Sequence, residues 1–224
     1  DTKFELDQIS GSVEEVGPFQ NIVLQECERM NALISEIVRS LVELDLGFRG
    51  ELTVSDKMDD LATSLFLDRV PKGWETLAWP SLRGLALWLS DFAARIAQLN
   101  DWAASPGETP VVTWISGLFN PQSFLTAVMQ TTAQKDNLEL DKLTLVTDIT
   151  KKMLGEEMTT VAKEGTYIVG LKLEGGSWNL GSGLLEPSKP REMYTPLPVV
   201  NVKPQVIEKF EPGLFQCPCY KTQS

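Results

Sequence analysis

T-W-I-S-G-L-F-N-P-Q-S-F-L-T-A-V-M-Q-T-T-A-Q-K, residues 113–135, is the stretch on which the rest of the chain turns. Its approach, Val111 to Ile115, is a short apolar run, enough for a strand or a turn of buried chain. Gly117 breaks that pattern, and Asn120-Pro121 restarts it as a helix. Asn120 is able to accept a hydrogen bond from the free amides of the first turn. Pro121 falls at the first helical position, where its missing N–H costs nothing. Phe124, Leu125, Val128 and Met129 then occupy one side of the helix, while Gln122, Ser123, Thr126 and Gln130 lie elsewhere. The stretch reads as a buried junction, not as a catalytic loop.

Toward the N-terminus the chain reads as helical. Residues 1–17 are polar, contain Gly11 and Gly17, and read as a lead-in. A long helix is expected from Pro18, because Val23, Cys27, Met30, Ile34, Ile37, Leu41 and Leu44 keep one apolar stripe on one side. Glu26, Glu28, Glu36 and Glu43 lie off that stripe and form an acidic outer side, and Gly47 and Gly50 end the helix. A coiled coil is the alternative, but the stripe has no matched charges on its flanks. Ser55 reads as the next cap, with Asp56, Asp59 and Asp60 near the positive end of the dipole and Met58, Leu61 and Leu65 on the buried side. Pro71 and Gly73 mark a loop carrying Trp74 and Trp79. Pro80-Ser81 then starts a helix whose seam is Leu82, Leu85, Leu89, Phe92, Ile96 and Leu99. Trp88 falls off that seam, so the helix either sits between neighbours or offers a face to a partner.

Beyond Lys135 the period changes to two. Leu143, Leu145, Thr147 and Ile149 alternate with Thr144, Val146 and Asp148, and Tyr167, Val169, Leu171 and Leu173 with Ile168, Gly170 and Lys172. Gly175-Gly176 ends the second run in a turn. Val200 and Val202 mark a third strand among prolines, and Phe215, Cys217 and Cys219 a fourth, held to an edge by Pro218. The expected class is therefore α+β: a helical unit over residues 1–136 and a small antiparallel, barrel-like β unit over residues 137–224.

The 224 residues are 42% apolar and 23% charged, the proportions of an ordinary globular protein. No apolar run reaches the length of a membrane span, and no signal peptide opens the chain. The chain starts at Asp1 and stops in mid-pattern, from which a piece of a longer chain is expected. The net charge of −11 is uneven, with 23 acids against 11 bases in residues 1–150 and 8 against 9 in residues 151–224. An acidic chain without a Lys/Arg cluster argues against nucleic acid and anionic membrane as partners.

Catalytic and cofactor machinery is hard to find in these residues. There is no His, which removes Ser/His and Cys/His nucleophiles and most zinc sites. Cys27 reads as a small core residue, and Cys217-Pro-Cys219 supplies only two metal ligands, the geometry of one face of a strand. Gly176 to Gly181-Ser182 has the glycine spacing of a phosphate loop but lacks the following Lys and helix, so a hairpin is the better reading. Glu174 beside Trp178 has no second carboxylate across a cleft. Asp59-Asp60 and Glu156-Glu157 read as solvated surface, and Trp74, Trp79, Trp88 and Trp102 as core packing rather than a stacking site. No catalytic, cofactor-binding or metal-binding residue is therefore nominated.

The order of its motifs gives the chain a family likeness. Trp114 to Gln130, W-I-S-G-L-F-N-P-Q-S-F-L-T-A-V-M-Q, resembles the W-I/L-S-G-F-F-F-P-Q-x-F-L-T run of dynein heavy chains, in the domain that closes the motor at its C-terminus. Val70-Pro71 with Trp74, then Trp79-Pro80-Ser81-Leu82-Arg83, resembles V-P-x-x-W followed by Y-P-S-L-K. Gly165 to Gly175, G-T-Y-I-V-G-L-K-L-E-G, and Leu24 to Asn31, L-Q-E-C-E-R-M-N, resemble two further motifs of that domain. Leu118 and Asn120 stand where Phe is usual, and Trp79 replaces Tyr. Trp178, Pro196 and Pro198 are more similar to the axonemal than to the cytoplasmic branch. The resemblance implies a helical part and an incomplete β-barrel lying across an ATPase ring, with the ATP sites upstream. It implies a non-catalytic regulatory role, with ring modules of the same heavy chain as partners. The first helix would cross them, its acidic side meeting a basic surface. Docking of another dynein subunit or axonemal protein is the alternative role. The implied location is cytoplasmic and cytoskeletal, in a ciliary or flagellar axoneme.

Overall fold

The computed structural model describes residues 3–12 and 17–206. Its spine is helix α2, Pro18–Phe48, opened by Pro18 at the first helical position. Val23, Cys27, Met30, Ile34 and Leu44 of the expected stripe are buried, together with Ile22 and Leu33. Leu41 is exposed, so the stripe is interrupted there before Leu44 returns to the core. The lead-in is more structured than its polarity implies. It forms α1, Leu6–Gly11, with Phe4 and Ile9 buried. Asn31 of α2 fixes it by accepting from the Phe4 N–H and donating to the Phe4 carbonyl, both at 2.8 Å.

Helix α3, Asp56–Phe66, starts where Ser55 accepts from the Met58 N–H, and buries Met58 and Leu61. Helix α4, Lys72–Glu75, is one turn whose Trp74 indole donates to Ser40 Oγ at 2.9 Å. Helix α5 runs over Leu85–Ala104 and does not begin at Pro80-Ser81. Its start is supplied from a distance, because Asp68 accepts from Leu85 N–H through its carbonyl and from Ala86 N–H through its carboxylate. The seam is rotated accordingly: Trp88, Arg95, Leu99 and Trp102 are buried, whereas Leu82 is 78% exposed and Leu89 faces solvent. Trp88, off the seam expected from sequence, is 0% exposed and packs internally, while Leu87 and Leu89 leave another side of the helix open to solvent.

Strand β1, Val112–Trp114, leads through a 3-10 turn at Ile115–Gly117 into α6, Pro121–Asp136. Asn120 caps α6 by accepting from the Ser123 N–H at 3.2 Å. The remaining strands are β2 (Leu143–Ile149), β3 (Thr166–Val169), β4 (Lys172–Glu174), β5 (Gly176–Asn179), β6 (Leu184–Pro187), β7 (Tyr194–Pro196) and β8 (Val200–Val206). A four-stranded sheet has the order β1-β3-β8-β2, and β4/β7 and β5/β6 form two-stranded ribbons. The molecule is α+β as expected, with sheets that do not close into a barrel among the described residues.

Two details differ from the sequence reading. The sheet is mixed, because β1, from the helical side of residue 136, pairs in parallel with β3 (Val112 with Tyr167, Trp114 with Val169). The run from Tyr167 to Leu173 is two strands, split at Gly170 with φ +90. The strand and cysteine pair expected at Phe215, Cys217 and Cys219 lie outside the described residues.

Candidate functional site

The residues singled out for chemistry are dispersed. Gly176 to Ser182 forms the β5–β6 hairpin, where Asn179 Oδ1 accepts from the Gly181 and Ser182 N–H groups. Glu174 is exposed on β4, while Trp178 is half-buried on β5. Asp59 and Asp60 are exposed on α3. Glu157 has a local task that the surface reading missed, accepting from the Met153 and Leu154 N–H groups at 3.1 and 2.9 Å. Cys27 is buried, and its thiol is pushed up to about 12 by desolvation, which leaves little thiolate for reaction.

What the fold does bring together is the junction at residues 114–120. Side chains from α2 and α5 bind its backbone in succession. Gln98 brackets Trp114, accepting from its N–H at 2.7 Å and donating to its carbonyl at 3.2 Å. Arg95 Nη2 donates to the Ser116 carbonyl at 2.7 Å. Glu26 accepts from the Phe119 N–H on Oε2 at 2.6 Å and from the Asn120 N–H on Oε1 at 2.9 Å. Past the end of β1 this segment has no ladder, and side chains meet several of its backbone polar groups.

Aromatic rings wall this junction. Trp79 and Trp88 stack at 5.0 Å between centroids, Phe92 lies 5.6 Å from Trp88 and 6.4 Å from Trp79, and Trp74 lies 6.1 Å from Trp88. Phe119 meets Trp79 edge-on at 6.0 Å. The Arg95 guanidinium lies 3.9 Å above the Trp79 ring and 5.3 Å from that of Trp114, in range for cation–π attraction. Trp102 is apart from the stack and packs edge-on against Phe124 of α6. The tryptophans are core packing, as their spacing implied.

The Trp114 indole is pinched between two glycines. A Cβ at Gly117 would lie 2.4 Å from Trp114 Cε3, and one at Gly170 2.4 Å from Cδ1. Gly117 is therefore a requirement of ring packing, and Gly170 of both packing and its positive φ.

Burial governs the charges. Glu26 is 2% exposed, and desolvation raises its pKa above the usual carboxylate value against the opposing pull of the two N–H donors, Arg29 and Arg95. Desolvation lowers Arg95 to about 10, with Asp91 and Glu26 acting the other way, so it stays cationic at neutral pH. The two charges moderate each other inside a largely apolar shell. Chemically the assembly is a latch: each ionic group grips backbone from another part of the chain.

The sequence reading puts Glu26 on an acidic outer side, and the structure overturns this. The outer side is also less acidic for a second reason, because Arg39 takes both Glu36 and Glu43 at 2.6 Å, and Arg49 takes Asp45 at 2.7 Å. Apolar groups are exposed too, on and beside the stripe and not among these acids: Val38, Leu41, Val42 and Phe48 face solvent along the second half of α2. One signal for Glu26 was present, its position directly beside Cys27 and three residues after Val23, on the flank of the stripe.

The family model for the C-terminal domain of dynein heavy chains matches residues 2–224. The ciliary dynein beta chain of Heliocidaris crassispina is 43% identical over 222 residues, which are 99% of this chain and 5% of that one. The flagellar outer arm dynein beta chain of Chlamydomonas reinhardtii is 46% identical over 208 residues, 92% of this chain and 4% of that one. Dynein axonemal heavy chain 17 of Mus musculus is 41% identical over 221 residues, 98% of this chain and 5% of that one. The chain therefore spans about 5% of the length of these relatives.

Proposed function

The chain belongs to the family of dynein heavy-chain domains that lie at the C-terminus, and from that premise we propose that it is a non-catalytic regulatory domain of an axonemal heavy chain. It packs on the ATPase ring of that chain and tunes how ATP turnover is coupled to movement along microtubules. It works in a ciliary or flagellar axoneme, the setting named for its relatives. The ATP sites belong to the ring, and this domain needs no cofactor of its own.

The observation that carries the reading is where the polar chemistry goes. Glu26 and Arg95, buried ionic groups of the kind that active sites exploit, grip the 116–120 backbone. Meanwhile Val38, Leu41, Val42 and Phe48 leave an apolar stripe on the outer half of α2. A stripe of this kind marks a contact surface. The contact is apolar, not the acid-to-base pairing expected for this helix. Docking of a separate subunit draws no support from Trp88, which lies in the core.

The test uses the full heavy chain with Val42→Asp and Phe48→Asp together. Expected is weakened coupling, seen as a several-fold fall in microtubule-stimulated over basal ATPase, with the basal rate retained. Unchanged stimulation overturns the contact. ATP hydrolysis by the isolated domain, lost on mutating one of its carboxylates, overturns the non-catalytic role.

A further inference from the structure

The β5–β6 ribbon is covered on one strand only: β5 lies against β7 and is half-buried throughout, while β6 is bare. Two-stranded ribbons are marginal in water unless something covers a face. Here all four residues of β6 are exposed, with Leu184 at 63% and Leu185 at 64%. Successive residues on a strand point to opposite faces, so these two leucines lie on different sides. Register fixes what accompanies each. Leu185 is opposite Trp178, giving an apolar face of Trp178, Leu185 and Pro187. Leu184 is opposite Asn179, giving a mixed face with Ser177 and Glu186, where Asn179 Nδ2 donates to Glu186 Oε1 at 2.7 Å.

The ribbon is nonetheless well built. Asn179 Oδ1 holds the Gly181 and Ser182 N–H groups, and the Gly183 N–H returns to the Asn179 carbonyl at 2.8 Å with Gly183 in the left-handed region. A turn fixed in this way presents its strands without the ordering cost of a loose loop. Pro187 and Glu186 on β6 discourage addition of a further strand, so recognition falls to side chains. An apolar side chain on each face of a stiff blade does not suit a flat surface, which would leave one leucine in water. It suits a cleft with two walls.

We propose that the β5–β6 ribbon is a wedge seated in a cleft elsewhere in the same heavy chain. One wall is apolar and meets Trp178 and Leu185; the other meets Leu184 and hydrogen-bonds near Asn179 and Glu186. The inference rests on the proposed ring-packing role. The occupant is the same chain because this piece is about 5% of the length of its relatives, so the remainder is covalently tethered and present at high effective concentration.

The test places p-benzoyl-phenylalanine singly at Leu184, Leu185 or Val42 in the full heavy chain, with isotopic labelling to separate one copy from another. After irradiation, Leu184 and Leu185 are expected to cross-link to two different upstream stretches of their own heavy chain. Cross-links from both to one stretch overturn the two-walled cleft. Cross-links to residues 1–224, to a second copy, or to another polypeptide overturn the assigned occupant, as does their absence. Upstream cross-links from Val42 with none from Leu184 and Leu185 would reject the wedge and keep ring packing. Silence at all three positions would reject both.

Discussion

A carboxylate withdrawn from water needs donors, and Glu26 finds them in the Phe119 and Asn120 N–H groups. Glu26→Gln keeps one acceptor oxygen and leaves one of these buried N–H groups unmet, a loss of about 1–3 kcal/mol. It also removes a titration. The raised pKa means that the folded chain holds this proton where the unfolded chain has released it. Stability contributed by this group therefore falls as pH rises from the usual value of 4.5 to the raised one, and is level above. Urea midpoints across this range should show that slope in the native chain and a flatter profile in the variant; parallel profiles would reject the assignment. Asn120 and Ser55 were legible in the sequence because each caps a helix three residues away. Glu26 was not, because its partners are 93 and 94 residues distant, beyond any local pattern.

Helix α5 shows what periodicity does and does not fix. Its apolar residues support two overlapping seams: Leu85, Phe92, Ile96 and Leu99 of the one that starts at Leu82 do face the core, while Leu82 and Leu89 do not. The true phase follows from Asp68, which caps the helix at Leu85, and from the ring stack that draws Trp88 inward. Both causes are tertiary, so no count of apolar spacings would recover them. Trp88→Ala should cost about 3–5 kcal/mol, while Leu82→Ala should stay within about 0.5 kcal/mol of the native chain. Denaturant unfolding of the pair decides the matter, since the seam read from sequence demands that Leu82→Ala also be costly. The strands meet the same limit. Alternation is enough to find β2, β3 and β8, but the parallel β1–β3 pair and the break at Gly170 depend on where Trp114 lies.

For the molecule as a whole, the α+β class is written in the change of period after Lys135. A division into units at residues 136 and 137 is bridged by several features. β1 lies before that point and pairs with β3 beyond it, α6 lies against β2 and β8, and Trp114 is held by Gly170. Heating should therefore melt the chain in one transition, with calorimetric and van't Hoff enthalpies in agreement. Two resolved peaks would instead support independent melting of residues 1–136 and 137–224.

The Glu26 latch also sets an order of events. Bonds spanning 93 and 94 residues require a large loop to close first, so they belong among the last contacts made as the chain folds. Contacts absent from the transition state govern escape from the native state rather than arrival at it. Glu26→Ala should accordingly raise the unfolding arm of a chevron to faster rates at unchanged slope and leave the refolding arm almost unmoved. Glu26, on this account, is a brake on unfolding.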